Sequence, residues 1–131
     1  MSLVVAGLGC GDATRMLRPV DFPLHATDDR FFDLHWRLER RDGAVEAVGL
    51  VEATRVDGIA EVILELRGLD GAGRVISRAL GRTYGGRLLR WDTRAFAVTL
   101  RPAGHEDRFE LRVWSYAWEG SRDRGTRGGG L

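Results

Sequence analysis

The side chains in this chain with the strongest claim to chemistry are three histidines, a single cysteine and the carboxylates near them. A metal centre needs imidazole, thiolate or carboxylate ligands at fixed spacing on one element or on adjacent ones. His25, His35 and His105 fall in three separate segments, and the lone Cys10 supplies no thiolate cluster and no internal disulfide. Asp33, His35 and Glu39 stand at alternate positions and share a face if their segment is a strand. Their types suit a divalent ion, but a strand face turned to water has the same composition. The sequence therefore assigns no metal. His105-Glu106-Asp107, after Pro102-Ala103-Gly104, reads as a turn. Ser77 and Ser115 lie inside extended runs, without the sharp strand-to-helix turn that exposes a nucleophilic serine. No catalytic residue emerges, and the chain reads as a non-enzyme.

The N-terminal string LVVAGLGCGDATRML has the outline of a strand, a Gly-rich loop and a helix start. That arrangement aims backbone N–H groups at a phosphate or nucleoside, and it is similar to the loop of S-adenosylmethionine-dependent methyltransferases. Gly7-Leu8-Gly9 would need Gly or Ala at position 12, where Asp12 stands, and no βαβ crossover follows. A fragment of a nucleotide- or S-adenosylmethionine-dependent enzyme is thus a third reading, and no cofactor is expected. The same region, MSLVVAGLGCG, resembles the end of a bacterial lipoprotein signal, in which a cysteine follows small and apolar residues. Cys10 is then the lipidation candidate and a lipid anchor the implied membrane contact. A basic n-region is missing, and Gly7 replaces the usual Leu.

Near the other end, Trp114, Tyr116 and Trp118 stand two apart, opposite in phase to Phe109, Leu111 and Val113. On a strand they form an outward row continued by Arg112, Glu110 and Arg108. Such a row stacks on sugar rings or anchors a protein partner. The competing reading is that the linker or another strand covers the rings, since large apolar patches are rarely left bare.

These residues need a frame, and the chain supplies an all-β one. At 131 residues it is one domain, long enough to bury roughly two-thirds of its unfolded surface. All 20 basic residues are Arg, and 19 interspersed acids leave a net charge of +1. Without a basic stripe nucleic acid is not an expected partner. No apolar run approaches the ~20 residues of a membrane-spanning helix.

Residues 1–30, punctuated by Pro19 and Pro23, carry no sustained period and read as a leader remnant or linker. From Phe31 onward alternation takes over. Phe32, Leu34, Trp36 and Leu38 share one face; Val45, Ala47, Gly49 and Val51 share another, with Val48 and Leu50 on a second covered side. Val62, Leu64 and Leu66, then Phe96, Val98 and Leu100, then Phe109, Leu111 and Val113 continue the inward rows. Asp42-Gly43, Asp57-Gly58 and Asp70-Gly71-Ala72-Gly73 punctuate them as turns. Gly68-Leu69 predicts a bulge that shifts the phase. Residues 74–84 also suit a short helical stripe, but Gly81, Gly85 and Gly86 favour a strand. Residues 121–131 have nothing apolar to bury and read as a disordered tail. Residues 31–120 are therefore expected to form a two-sheet, immunoglobulin-like antiparallel β-sandwich of about seven strands.

The middle of the chain, roughly residues 45–101, resembles the FxLYD domain family, small immunoglobulin-like sandwiches of exported or membrane-anchored bacterial and archaeal proteins. The matching pieces are Val48-Gly49-Leu50-Val51-Glu52, Ala60 to Asp70, Gly73-Arg74-Val75 and Arg94 to Leu100. Glu52 stands near the family's Asn, Leu69 replaces its Tyr, and Trp91-Asp92 replaces its Pro-Gly pair. The resemblance implies a sandwich and an envelope address, and carries no catalytic or cofactor residue. The expectation is a non-catalytic binding or accessory module of the cell envelope with a protein or glycan partner. A small carbohydrate-binding module using the aromatic row is the alternative.

Overall fold

The computed structural model describes residues 17–28, 31–55, 58–118 and 124–126, and the chain is all-β. A turn of 3-10 helix, Pro19–Asp21, precedes β1 (Leu24–Asp28), β2 (Phe32–Arg41), β3 (Ala44–Ala53) and β4 (Ile59–Leu69). Then come β5 (Val75–Arg82), β6 (Thr93–Leu100), β7 (Arg108–Trp118) and the three-residue β8 (Arg124–Thr126). Two antiparallel sheets result, one ordered β1-β2-β3-β6 and one β5-β4-β7, extended by β8. The chain changes sheet after β3, β5 and β6, so β2-β3-β6 and β5-β4-β7-β8 take the places of the A-B-E and C′-C-F-G strands of an immunoglobulin-like sandwich. β1 is an added edge strand.

The inward rows meet as the alternation predicts. Phe32, Leu34, Val45, Val51, Val62, Leu64, Leu66, Phe96, Val98 and Val113 are all buried in one continuous core. Each such side chain removed from water contributes roughly 1.5–3 kcal/mol. Gly49 has a specific reason to lack a side chain. A Cβ there would lie 2.0 Å from the His35 carbonyl oxygen and 2.8 Å from the Trp36 Cβ, so the bare backbone lets Trp36 lie across it.

Turn chemistry fixes the registers. Asp42 (φ 52°) and Gly43 (φ 77°) form the two-residue loop whose twist suits a hairpin, so β2 and β3 pair without slippage from Arg41↔Ala44 to Phe32↔Ala53. In the β4–β5 turn, Asp70 Oδ1 accepts the N–H groups of Ala72 and Arg74 at 2.9 Å each, while Gly73 takes φ 84°. The N–H of Arg74 holds the Asp70 carboxyl below its ordinary range; burial opposes this, and the Ala72 N–H and the Arg74 guanidinium add to the lowering. The Gly68/Leu69 shift is present, and residues 75–82 are strand.

Two segments depart from expectation. Residues 1–30, expected to be a leader remnant or linker, contain β1, which pairs with β2 through Leu24↔Trp36 and Ala26↔Leu34. Residues 121–131, expected to be a disordered tail, contain β8, paired with Ser115, Tyr116 and Ala117. Both are short and weakly apolar, so their signal lies in the neighbouring strand rather than in their own residues. Phe22 is buried as well, with Arg37 over its ring at 5.5 Å. Leu50 is buried too, so β3 is covered on both faces, as its sequence implies.

Candidate functional site

Chemistry-bearing side chains gather on the outer faces of both sheets. On β5-β4-β7 the centre is Glu65, which the alternation of β4 turns outward and which is nevertheless fully buried. An ionised carboxylate in that position is tolerable only when paired. Register supplies the partners: Arg112 of β7 lies directly opposite and donates from Nε to Glu65 Oε1 at 2.7 Å. Arg78 of β5 pairs with Glu65 Oε2, and Arg67 Nε lies 3.9 Å from Oε1. Arg67 also donates to Glu110 at 2.7 Å. The guanidinium groups of Arg78 and Arg112 lie over the Trp114 ring, 5.1 and 5.8 Å from its centroid. Trp114 is thus held by cations that Glu65 holds in turn.

The expected Trp114–Tyr116–Trp118 row is divided. A register shift between Ile63 and Leu64 inserts an extra residue in β7, so Ser115 is buried and the phase reverses behind it. Trp114 and Arg112 stay outward. Tyr116 and Trp118 turn to the core, where Tyr116 packs edge-on against Phe31 and Phe32 and Trp118 against Phe31. The covering element is the start of β2. Trp36 is buried in the core, whereas Trp91 is exposed in a turn.

On β1-β2-β3 the strands bring a second group together. His25 stands opposite His35 in the β1–β2 register, and Asp33 opposite Glu52 in the β2–β3 register. His25 Nδ1 and His35 Nδ1 lie 2.7 Å apart, and His35 Nε2 lies 3.3 Å from Glu52 Oε1. Asp33, His35 and Glu52 offer donor atoms that all fall within 4.8 Å of one another. His25, Ala26, Asp33 and His35 line a shallow depression of about 230 Å³ above them. Glu39, placed with Asp33 and His35 by alternation, belongs elsewhere: it accepts from Arg37 at 2.6 Å and from Arg41 at 3.3 Å. Glu52 takes its place, and the sequence held the means to find it. Counting back residue for residue from the Asp42-Gly43 turn sets Asp33 against Glu52. No such count reaches His25, because β1 and β2 are joined by a longer connection.

Of the remaining candidates, His105 is exposed in the β6–β7 loop. Its neighbour Glu106 is bound into structure. Burial pushes that carboxyl up, but the Ser77 hydroxyl at 2.6 Å and the N–H groups of Ala103 and Gly104 pull it further down, to about 2. Cys10 and the Gly7–Gly11 string lie outside the described residues. No helix among the described residues is long and apolar enough to cross a membrane. Compared with family models, with curated proteins and with solved structures, the chain finds no match in any of the three.

Proposed function

We propose that the chain is a non-catalytic β-sandwich module of the cell envelope that binds an acidic partner protein through the outer face of β5-β4-β7. The observation that carries this reading is the Trp114 ring held under Arg78 and Arg112, both anchored on the buried Glu65 carboxylate. Trp and Arg dominate the energetic centres of protein interfaces. Side chains already fixed by their neighbours lose little entropy on contact, so such a patch is pre-organised. Around it Arg67, Arg82 and Arg108 outnumber Glu61 and Glu110, which favours carboxylates on the partner. Leu80, opposite Glu65 and 53% exposed, adds an apolar contact. The envelope address rests on the FxLYD resemblance and on Cys10 as a lipid anchor.

A glycan platform is the second reading, with Trp114 as its base. Guanidinium groups already lie over that ring, and Tyr116 and Trp118 face the core, so a neutral sugar has little open aromatic surface to stack on. Titrating the full chain with polyglutamate, and in parallel with neutral glycans, separates the two by tryptophan fluorescence. The acidic-partner reading expects a saturable response to polyglutamate that falls at least about tenfold in R78A and in W114F, as truncation of an interface anchor does. A response to neutral glycans alone transfers the face to the second reading. No response to either removes both.

A further inference from the structure

We propose that β1, β2 and β3 carry a site for a divalent first-row transition ion, with His35 Nε2, Asp33 and Glu52 as protein ligands and His25 as the residue that positions the His35 ring. The site lies on the sheet opposite the Arg–Trp114 face and does not depend on the function proposed for that face.

The first argument is geometric. The 3.3 Å between His35 Nε2 and Glu52 Oε1 matches the edge of a tetrahedron built on metal bonds of about 2.0–2.1 Å. The third donor, on Asp33, lies within 4.8 Å of the other two, so closing it onto an ion with metal bonds of this length takes up to about 1 Å of side-chain movement. The donors sit on paired strands rather than on loops, which fixes their separation before any ion arrives.

The second argument concerns the proton between the two imidazoles. At 2.7 Å, one Nδ1 must donate and the other accept. When His35 donates, its Nε2 presents a bare lone pair 3.3 Å from Glu52 Oε1, and a cation between the two relieves the repulsion of lone pair and carboxylate. This is the arrangement of a metal-bound histidine whose second nitrogen donates to an outer partner that sets the ring's tautomer and tilt. In the opposite tautomer His35 Nε2–H simply donates to Glu52, and a proton takes the place of the ion.

The ligand set selects the ion. Two carboxylates and a neutral imidazole balance a dication, and imidazole suits Zn²⁺ and its first-row neighbours, whereas Ca²⁺ takes six to eight oxygens. The His35 and Glu52 side chains are 12% and 22% exposed, which limits competition from water and leaves a coordination position open to the depression above.

The test is Zn²⁺ titration of the chelator-stripped full chain by calorimetry, with Ca²⁺ in parallel and a thermal unfolding curve for every variant. One Zn²⁺ per chain should bind saturably, and Ca²⁺ should not compete. H35A and E52Q should each lose at least about 100-fold in affinity, and E39Q should lose nothing. H25F should weaken binding about 10–100-fold, the usual effect of removing an outer-shell partner, without altering metal-free stability. H25N, whose amide oxygen can accept the same Nδ1–H, should recover most of it. Should H35A fail to fold, the ¹⁵N resonance of His35 Nε2 in the native protein decides: Zn²⁺ must remove its proton. A His35 Nε2 that stays protonated with Zn²⁺ present, binding that survives E52Q, or no saturable binding at all overturns the proposal.

Discussion

Trp91 sits in a backbone conformation that its side chain opposes. Its φ is 73°, in the left-handed region, and the residue is 64% exposed, so little burial compensates. The turn around it is what holds it there. Leu89 N donates to Asp92 Oδ2 at 3.0 Å, Asp92 N to Leu89 O at 2.9 Å, and Trp91 N to Ala53 O at 2.6 Å. A non-glycine residue so placed stores on the order of 1 kcal/mol or more. W91G should therefore keep the turn and raise the urea midpoint by an equivalent of up to about 1 kcal/mol, part of the relief being lost to the looser unfolded chain. A fall of that size would mean the exposed ring has a structural contact. Glu65 poses the reverse case, a charge whose removal strands its partners. Arg67, Arg78 and Arg112 are a quarter to a half exposed and can turn toward water, which moderates the loss. E65Q should cost about 1–3 kcal/mol in denaturant unfolding, and R78A less than that, since Arg112 still neutralises the carboxylate. Composition could not have revealed Glu65. Its outward place in β4 is legible from alternation, but its burial depends on three arginines from three strands arriving over it.

At the level of elements, what could be read depended on whether the information was local. The inward rows of β2, β3, β4, β6 and β7 follow from period-two spacing, and the β2–β3 register follows from a two-residue turn. The division of the aromatic row does not, because the extra residue in β7 is defined only against β4. Period two is unforgiving here: one inserted residue sends every later side chain to the other face. That is why Trp114 and Tyr116, two apart, end on opposite sides. β1 and β8 are illegible for a related reason, being too short to show a period and held in place by strands that do. Gly49 is the element-scale test, since β2 and β3 can lie this close only with no Cβ between them. G49A should lower stability by about 3 kcal/mol or more, the effect of forcing an atom into packed backbone. It should also disturb the His35 resonances in an NMR spectrum, because the clash falls on the His35 carbonyl. A neutral G49A would mean that the two strands separate at little cost.

For the whole molecule, the two sheets are joined by more than their core. Thr83 at the end of the second sheet bridges to Phe96 in the first, and the β6–β7 loop is stitched back to the β4–β5 hairpin by Asp107 N donating to Leu69 O at 2.6 Å. Glu106 is the main fastener of that loop, taking the Ser77 hydroxyl of β5 together with the Ala103 and Gly104 N–H groups of its own turn. These bonds require the ionised carboxylate, and they hold its pKa at about 2 against an ordinary 4.5, burial acting in the opposite sense. A depressed carboxyl contributes stability that is fully present above the unfolded value and lost as pH falls toward the folded one. The loss should therefore begin near pH 4.5 and be complete below about pH 2, with Asp70 adding in the same direction. Thermal unfolding of wild type and E106Q between pH 7 and that acid limit provides the measurement. Wild type should be the more stable at pH 7, and the gap in Tm should close steadily through the window as wild type loses what the variant never had. A gap that stays constant down to pH 2 would show that Glu106 titrates alike in the folded and unfolded chain, so that its carboxylate is not what fastens the loop.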